Sequence, residues 1–222
     1  HHFAWLSIAA AVATIALKTL AWWVTGSVGL LSDALESFVN LAGASFALWM
    51  ILVTREPADR GHPFGHGKAE YFSSGFEGIL ILGAAFAIIW AAAERLAAPQ
   101  PIESPGWGLA WSAAATAINF VVARVLGQAG ERFNSIALSA DSRHLMTDVW
   151  TSFGVIAGVA LVALTGWLPL DPIIAIAVGL NITREAWHLL RESVDGLMDR
   201  SLDGQQQVRA RAVLESFHAR GV

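Results

Sequence analysis

The chain has 222 residues, 55% of them hydrophobic and 14% charged, with a formal net charge of −4. A soluble domain carries about 25% charged residues, so this deficit excludes an ordinary water-solvated fold and points to lipid as the main solvent. No basic run points to nucleic acid. The absence of cysteine excludes disulfides and thiolate metal sites, leaving His, Asp, Glu, Asn and backbone oxygen as metal donors.

A membrane-crossing helix needs roughly 20 mainly apolar residues. Six stretches qualify, at 3–25, 28–53, 71–93, 107–126, 145–168 and 172–190. The fold class read from them is an all-α membrane protein of six transmembrane helices. The first stretch reads as a span rather than a cleaved leader; His1 and His2 are set aside as native or tag-derived. The first connection is the short turn Thr25-Gly26-Ser27. The second, 54–68, holds Pro57, Gly61, Pro63, Gly65 and Gly67 and cannot be one regular helix. The third, 97–106, contains Pro99, Pro101 and Pro105, the fourth (127–132) is charged, and the fifth (166–172) is a Gly/Pro turn. Ten Trp residues read as membrane packing and interface belts.

Arg55, Arg60 and Lys68 lie in the second connection, Arg124, Arg132 and Arg143 flank the fourth, and Arg191, Arg200, Arg209 and Arg211 follow the sixth span. The first and fifth connections have no Lys or Arg. The bias toward basic cytoplasmic loops therefore predicts a multi-pass protein of the cell's inner (plasma) membrane with both termini in the cytoplasm. Residues 1–196 are expected to form the transmembrane domain. Over 197–222 the composition turns polar, with an amphipathic pattern at 203–220; this reads as a linker and the first helix of a cytoplasmic C-terminal domain that is mostly absent.

Charged residues inside spans are expensive and need a reason. Glu36 and Asn40 are four apart in the second span, and His144 and Asp148 are four apart at the start of the fifth. That spacing stacks two side chains on one helix face. Two such faces turned together would offer four donors, which suits a tetrahedral divalent site. A divalent cation would neutralise the charges of Glu36 and Asp148, and metal loading would displace protons. The plainer alternative is that His144 pairs with Asp148 across one turn while Glu36 bonds Ser32 or another helix. Two such pairs in two spans favour the metal or proton site. Asp33 stands behind the ligands or serves structure alone; Glu77 is read as a pairing residue or a proton relay. Lys18 can snorkel or pair and receives no role. In the second connection, Asp59, His62 and His66 offer a carboxylate and two imidazoles within a segment that Pro and Gly can fold tightly. A second metal site and a polar turn with unrelated histidines both fit that spacing.

Taken together, Ala21-Trp22-Trp23-Val24-Thr25-Gly26-Ser27, Ser32-Asp33-Ala34-Leu35-Glu36-Ser37, His62-Pro63-Phe64-Gly65-His66-Gly67-Lys68-Ala69-Glu70 and the His144/Asp148 pair resemble the cation diffusion facilitator family, and within it the bacterial divalent metal/proton antiporters. The resemblance runs from about Leu20 through the sixth span. It implies a homodimer with a ferredoxin-like cytoplasmic domain that exchanges cytoplasmic metal for external protons. It also implies a transport site at Glu36, Asn40, His144 and Asp148, and a loop site at Asp59, His62 and His66. A charge contact between Lys68 and Asp199 near the dimer interface follows from the same resemblance. The zinc exchangers often carry two Asp, or His and Asp, on the second helix; Glu36 and Asn40 depart from that. Zn²⁺ is the first expectation for the cargo, with Fe²⁺, Mn²⁺, Co²⁺ or Cd²⁺ open because selectivity comes from geometry and ligand type. No resident cofactor is expected, and no enzyme. A passive cation channel is the alternative, and an intramembrane metalloenzyme with an open water position a more distant one, since no His-Glu-x-x-His motif is present.

Overall fold

The computed structural model describes residues 2–133 and 136–199, together with 208, 209 and 215. Six helices follow one another: α1 (His2–Thr25), α2 (Val28–Thr54), α3 (Ala69–Ala97), α4 (Pro105–Phe133), α5 (Ile136–Thr165) and α6 (Leu170–Leu197). All six are long and apolar enough to cross a membrane. With the backbone N–H and C=O groups of its helix interiors paired within each helix, an all-helical bundle meets the demand that hydrocarbon makes on the main chain. Large apolar side chains such as Trp23, Phe86, Trp90, Trp150 and Leu164 point outward, as expected where the solvent is lipid.

The ends of several helices differ from the sequence expectation. α3 runs four residues further at its C-terminal end, to Ala97, α4 continues to Phe133, α5 begins at Ile136 and α6 extends to Leu197. The charged segment 127–132, read as a connection, is the last part of α4. Hydropathy marks the part of a helix that sits in hydrocarbon, whereas helical hydrogen bonding continues into the polar layer. In the other direction, α5 stops at Thr165 rather than at 168, because Gly166 takes a positive φ of 69° and closes the helix through an N–H bond to the Val162 carbonyl. The amphipathic helix expected over 203–220 lies largely outside the described residues.

The most extensive packing joins α3 to α6, α4 to α5, α2 to α3 and α1 to α4. Most of the buried apolar residues are small or β-branched, with a few Leu among them. Val39, Ile81, Ala85, Ile88, Ala175, Ile182 and Ala186 join α2, α3 and α6. Ala10, Val122, Ala123, Leu126 and Leu145 join α1, α4 and α5. Small residues matter here because lipid tails are as apolar as leucine, so helix association depends on close contact. Gly78 shows it: a Cβ there would lie 2.9 Å from the Leu190 side chain and 3.2 Å from the Ala186 carbonyl of α6.

α2 owes its position to an unexpected partner. Ser27 caps it, accepting a bond from the Leu30 N–H. Asp171 of α6 then accepts from the Val28 N–H at 2.8 Å, the Gly29 N–H at 3.2 Å and the Ser27 hydroxyl. A buried carboxylate thus satisfies donors that every helix N-terminus leaves open and fixes α2 to α6.

Candidate metal site in the bundle

Asn40, His144 and Asp148 line one cavity of about 150 Å³, with Ser7, Thr14 and Ser37 from α1 and α2, Asn119 from α4 and Asp141 from α5. The cavity spans from Asp141 to Asp148 along α5, seven residues or about 10 Å at the helical rise. Glu36 borders a smaller space of about 10 Å³ between α2, α3 and α6, together with Asn40 and Glu185. Asn40 therefore belongs to both spaces. The structure thus gathers Asn40, His144 and Asp148 on one cavity, while Glu36 borders the other space, on the α3/α6 side of Asn40.

His144 Nε2 and Asp148 Oδ2 are 3.9 Å apart, beyond hydrogen-bond range. The pair is not closed on itself, and both groups keep lone pairs for a third party. Asp148 is buried, whereas His144 is exposed at the cavity's open side. Ser32 bonds the Gly29 carbonyl, not Glu36. Glu185 of α6 borders the same small space as Glu36. Glu77 packs against α2 at Gly43, where a Cβ would meet its Cγ at 2.8 Å.

Asp33 and Lys18 lie behind these residues. Lys18 Nζ of α1 is 2.9 Å from Asp33 Oδ1, and both side chains are 2% exposed. Lys18 also donates to Ser37 Oγ at 2.8 Å, and Ser152 Oγ of α5 donates to Asp33 Oδ1 at 2.7 Å. Sequence reading gave Lys18 no role and passed over Ser152, Asn119, Asp141, Asp171 and Glu185. Helical spacing carried a partial signal, since Asp141 is three residues before His144 and Ser152 four after Asp148.

The loop residues come together as the second expectation required. Donor atoms of Asp59, His62 and His66 all lie within 4.8 Å of one another. His66 Nε2 is 3.1 Å from His62 Nδ1, His62 Nδ1 is 3.2 Å from Asp59 Oδ1, and His66 Nε2 is 3.8 Å from Asp59 Oδ2. Ligands at about 2.0–2.1 Å in a tetrahedral zinc site are about 3.3–3.4 Å apart along each edge; the two shorter separations lie close to that, and the His66–Asp59 separation is longer. His66 Nδ1 lies 3.3 Å from the Glu56 carbonyl; donating there would leave Nε2 with its lone pair free, as metal-bound imidazoles require. The backbone N–H of His62, with that of Gly61, holds the Asp59 carboxyl below its usual range. Gly65 has a φ of +80° and lets the chain turn back between the two histidines. At the end of this loop Lys68 donates to Asp199 Oδ2 at 2.8 Å and to the Leu197 carbonyl at 3.0 Å, so the expected charge contact is present and also caps α6.

Six spanning helices with carboxylate, amide and imidazole donors gathered inside the bundle make this a multi-pass membrane protein with an internal polar site. Residues 4–198 match the family model described as the cation efflux transmembrane domain. The chain belongs to the cation efflux family, which bears out the resemblance drawn from its motifs. It is 57% identical over 204 residues to an uncharacterized transporter, sll1263, of Synechocystis sp., covering 92% of this chain and 66% of that protein. It is 30% identical over 207 residues to the cation-efflux pump FieF of Shewanella oneidensis, covering 93% and 70%. To the FieF pump of Yersinia pestis strain Pestoides F it is 31% identical over 212 residues, covering 92% and 70%. The chain thus spans about two thirds of the length of these relatives.

Proposed function

We propose that this chain moves divalent metal cations out of the cytoplasm in exchange for protons, by alternating access to a site formed by Glu36, Asn40, His144 and Asp148. Zn²⁺ is the first candidate cargo; Asn40 contributes a neutral oxygen, so Fe²⁺, Mn²⁺, Co²⁺ and Cd²⁺ stand behind it. The observation that carries the reading is the convergence of Asn40, His144 and Asp148 on one cavity inside membrane-crossing helices. Membership of the cation efflux family supports the same direction. The basic residues in these segments support a cytoplasmic side for the α2–α3 and α4–α5 connections and the C-terminal end of α6. Metal enters there, binds between α2 and α5, and leaves on the far side when protons replace it at the carboxylates and the imidazole. The loop site at Asp59, His62 and His66 holds a second ion at the cytoplasmic surface, and the Lys68–Asp199 contact lies near the interface of a homodimer.

The coupling is tested in proteoliposomes carrying a pH dye and a metal dye. Addition of Zn²⁺ on one side is expected to move protons the opposite way, and His144→Ala to abolish that proton movement. Zn²⁺ flux without proton counterflow would favour a passive channel and overturn the exchanger reading.

A further inference from the structure

The buried group that the transport reading does not use is the ammonium of Lys18. It lies in the bundle interior among Asp33, Ser37 and, through Asp33, Ser152. Each contact stands beside a proposed ligand in sequence: Asp33 three residues before Glu36, Ser37 next to it, and Ser152 one turn beyond Asp148. The cluster therefore joins α1, α2 and α5 directly behind the site. Asp33 Oδ2 is buried with no hydrogen-bond partner, so Lys18 and Ser152 share the other oxygen and the carboxylate is not fully neutralised by bonds. A buried ion pair is a poor source of stability compared with apolar packing, and inside a membrane it is more expensive still. A helix clamp could be made from hydroxyls and amides alone, without two opposite full charges.

We propose that Lys18 is a fixed counter-cation of the transport site, balancing Asp33 so that the site presents the charge one divalent ion neutralises. The inference rests on the reading of Glu36, Asn40, His144 and Asp148 as the transport site. In the metal-loaded site the two ligand carboxylates, Glu36 and Asp148, together with the Lys18–Asp33 pair, carry two net negative charges, which one divalent ion cancels; Glu185, which borders Glu36, stands outside that set and is the same in every variant compared. Losing Lys18 alone leaves three, so metal binds more tightly and leaves more slowly. Losing the Asp33 charge alone leaves one, so metal binds less well. Losing both restores two. Lys18 acts through the field at the site and is a positioning residue for charge, not a ligand.

The experiment is a Zn²⁺ titration of the full chain in detergent by calorimetry, with Asp59, His62 and His66 replaced by Ala so that only the bundle site reports. At this range one unit charge against a divalent ion changes affinity on the order of tenfold. Asp33→Asn is expected to weaken Zn²⁺ binding about tenfold. Lys18→Met/Asp33→Asn is expected to return to within about threefold of the unsubstituted background. Lys18→Met alone is expected to bind tighter and to release Zn²⁺ more slowly in stopped flow. If Lys18→Met does not survive purification, the comparison of Asp33→Asn with the double variant decides the matter. A double variant binding no better than Asp33→Asn would overturn the counter-charge role, since a structural clamp would be damaged further by the second change. Asp148→Ala in the same background separates the two claims. If it abolishes binding while the charge pattern fails, only the Lys18 inference falls; if it leaves Zn²⁺ affinity unchanged, the transport-site reading falls and takes the inference with it.

Discussion

Asp171→Ala tests whether α2 is held in place by a carboxylate borrowed from α6. Asp171 is 2% exposed and accepts from two backbone N–H groups and one hydroxyl at the start of α2. Gly29 allows the approach, since a Cβ there would lie 2.9 Å from Asp171 Oδ1. Each buried donor left without an acceptor costs about 1–3 kcal/mol. The Ser27 cap on Leu30 persists and relieves nothing at Val28 or Gly29, so the two backbone donors together lose about 2–6 kcal/mol. For a chain of this size each kcal/mol lowers Tm by about 2–4 °C, which gives a fall of roughly 4–24 °C. Thermal unfolding in detergent, followed by circular dichroism or by monodisperse elution after heating, reads it directly. Asp171→Asn keeps one acceptor oxygen and should lose about half as much. If both variants stay within about 2 °C of the unsubstituted chain, the carboxylate is not what seats α2.

Three further outcomes follow from the loop. His66→Ala should lower the Zn²⁺ bound per chain by one equivalent, measured by equilibrium dialysis, while leaving the bundle site able to bind. Lys68→Ala should change stability by no more than about 1 kcal/mol, because the Lys68–Asp199 pair is well exposed and surface ion pairs are worth about that at most. Chemical denaturation checks this, and a larger loss would mean that the α6 cap to the Leu197 carbonyl dominates. In the metal-free chain Asp59 should stay ionised below the usual carboxylate pKa of about 3.9, because the His62 and Gly61 N–H groups favour the charged form. With the folded value lowered, the stabilising contribution of Asp59 is fully present above the unfolded pKa and is lost as pH falls through the lowered one. Carbon-detected NMR of labelled Asp side chains would show it; titration at or above the ordinary value would contradict the assigned bonds.

Six spans, their order and both i,i+4 pairs were legible in the sequence because each is a local signal. Twenty apolar residues in a row declare a span, and i,i+4 spacing declares a shared helix face for Glu36 and Asn40 and for His144 and Asp148. Asp59, His62 and His66 were legible for the same reason, since one short loop carries them all. The helix ends were not, because α4 and α5 continue through the polar residues of Gly127–Arg132 and Asp141–His144, where the apolar run stops. Spacing along one helix also says nothing about which neighbour a face meets. It could not show that Glu36 borders α3 and α6 while Asn40 borders α5, nor that Glu185 would stand beside Glu36. Lys18 met its partner through the packing of α1 on α2, and Asp171 reached α2 from more than 140 residues away. Both are tertiary facts with no periodic signature.

The most direct test of the account is gradient-driven metal uptake into proteoliposomes by the unsubstituted chain and by Asp148→Ala, side by side, with Zn²⁺ and then Mn²⁺ as cargo. Zn²⁺ uptake that follows the pH gradient and disappears in Asp148→Ala, with correct folding shown by unchanged elution and helicity, is the predicted result. Uptake that persists at the same rate in Asp148→Ala would contradict the claim that metal crosses between α2 and α5.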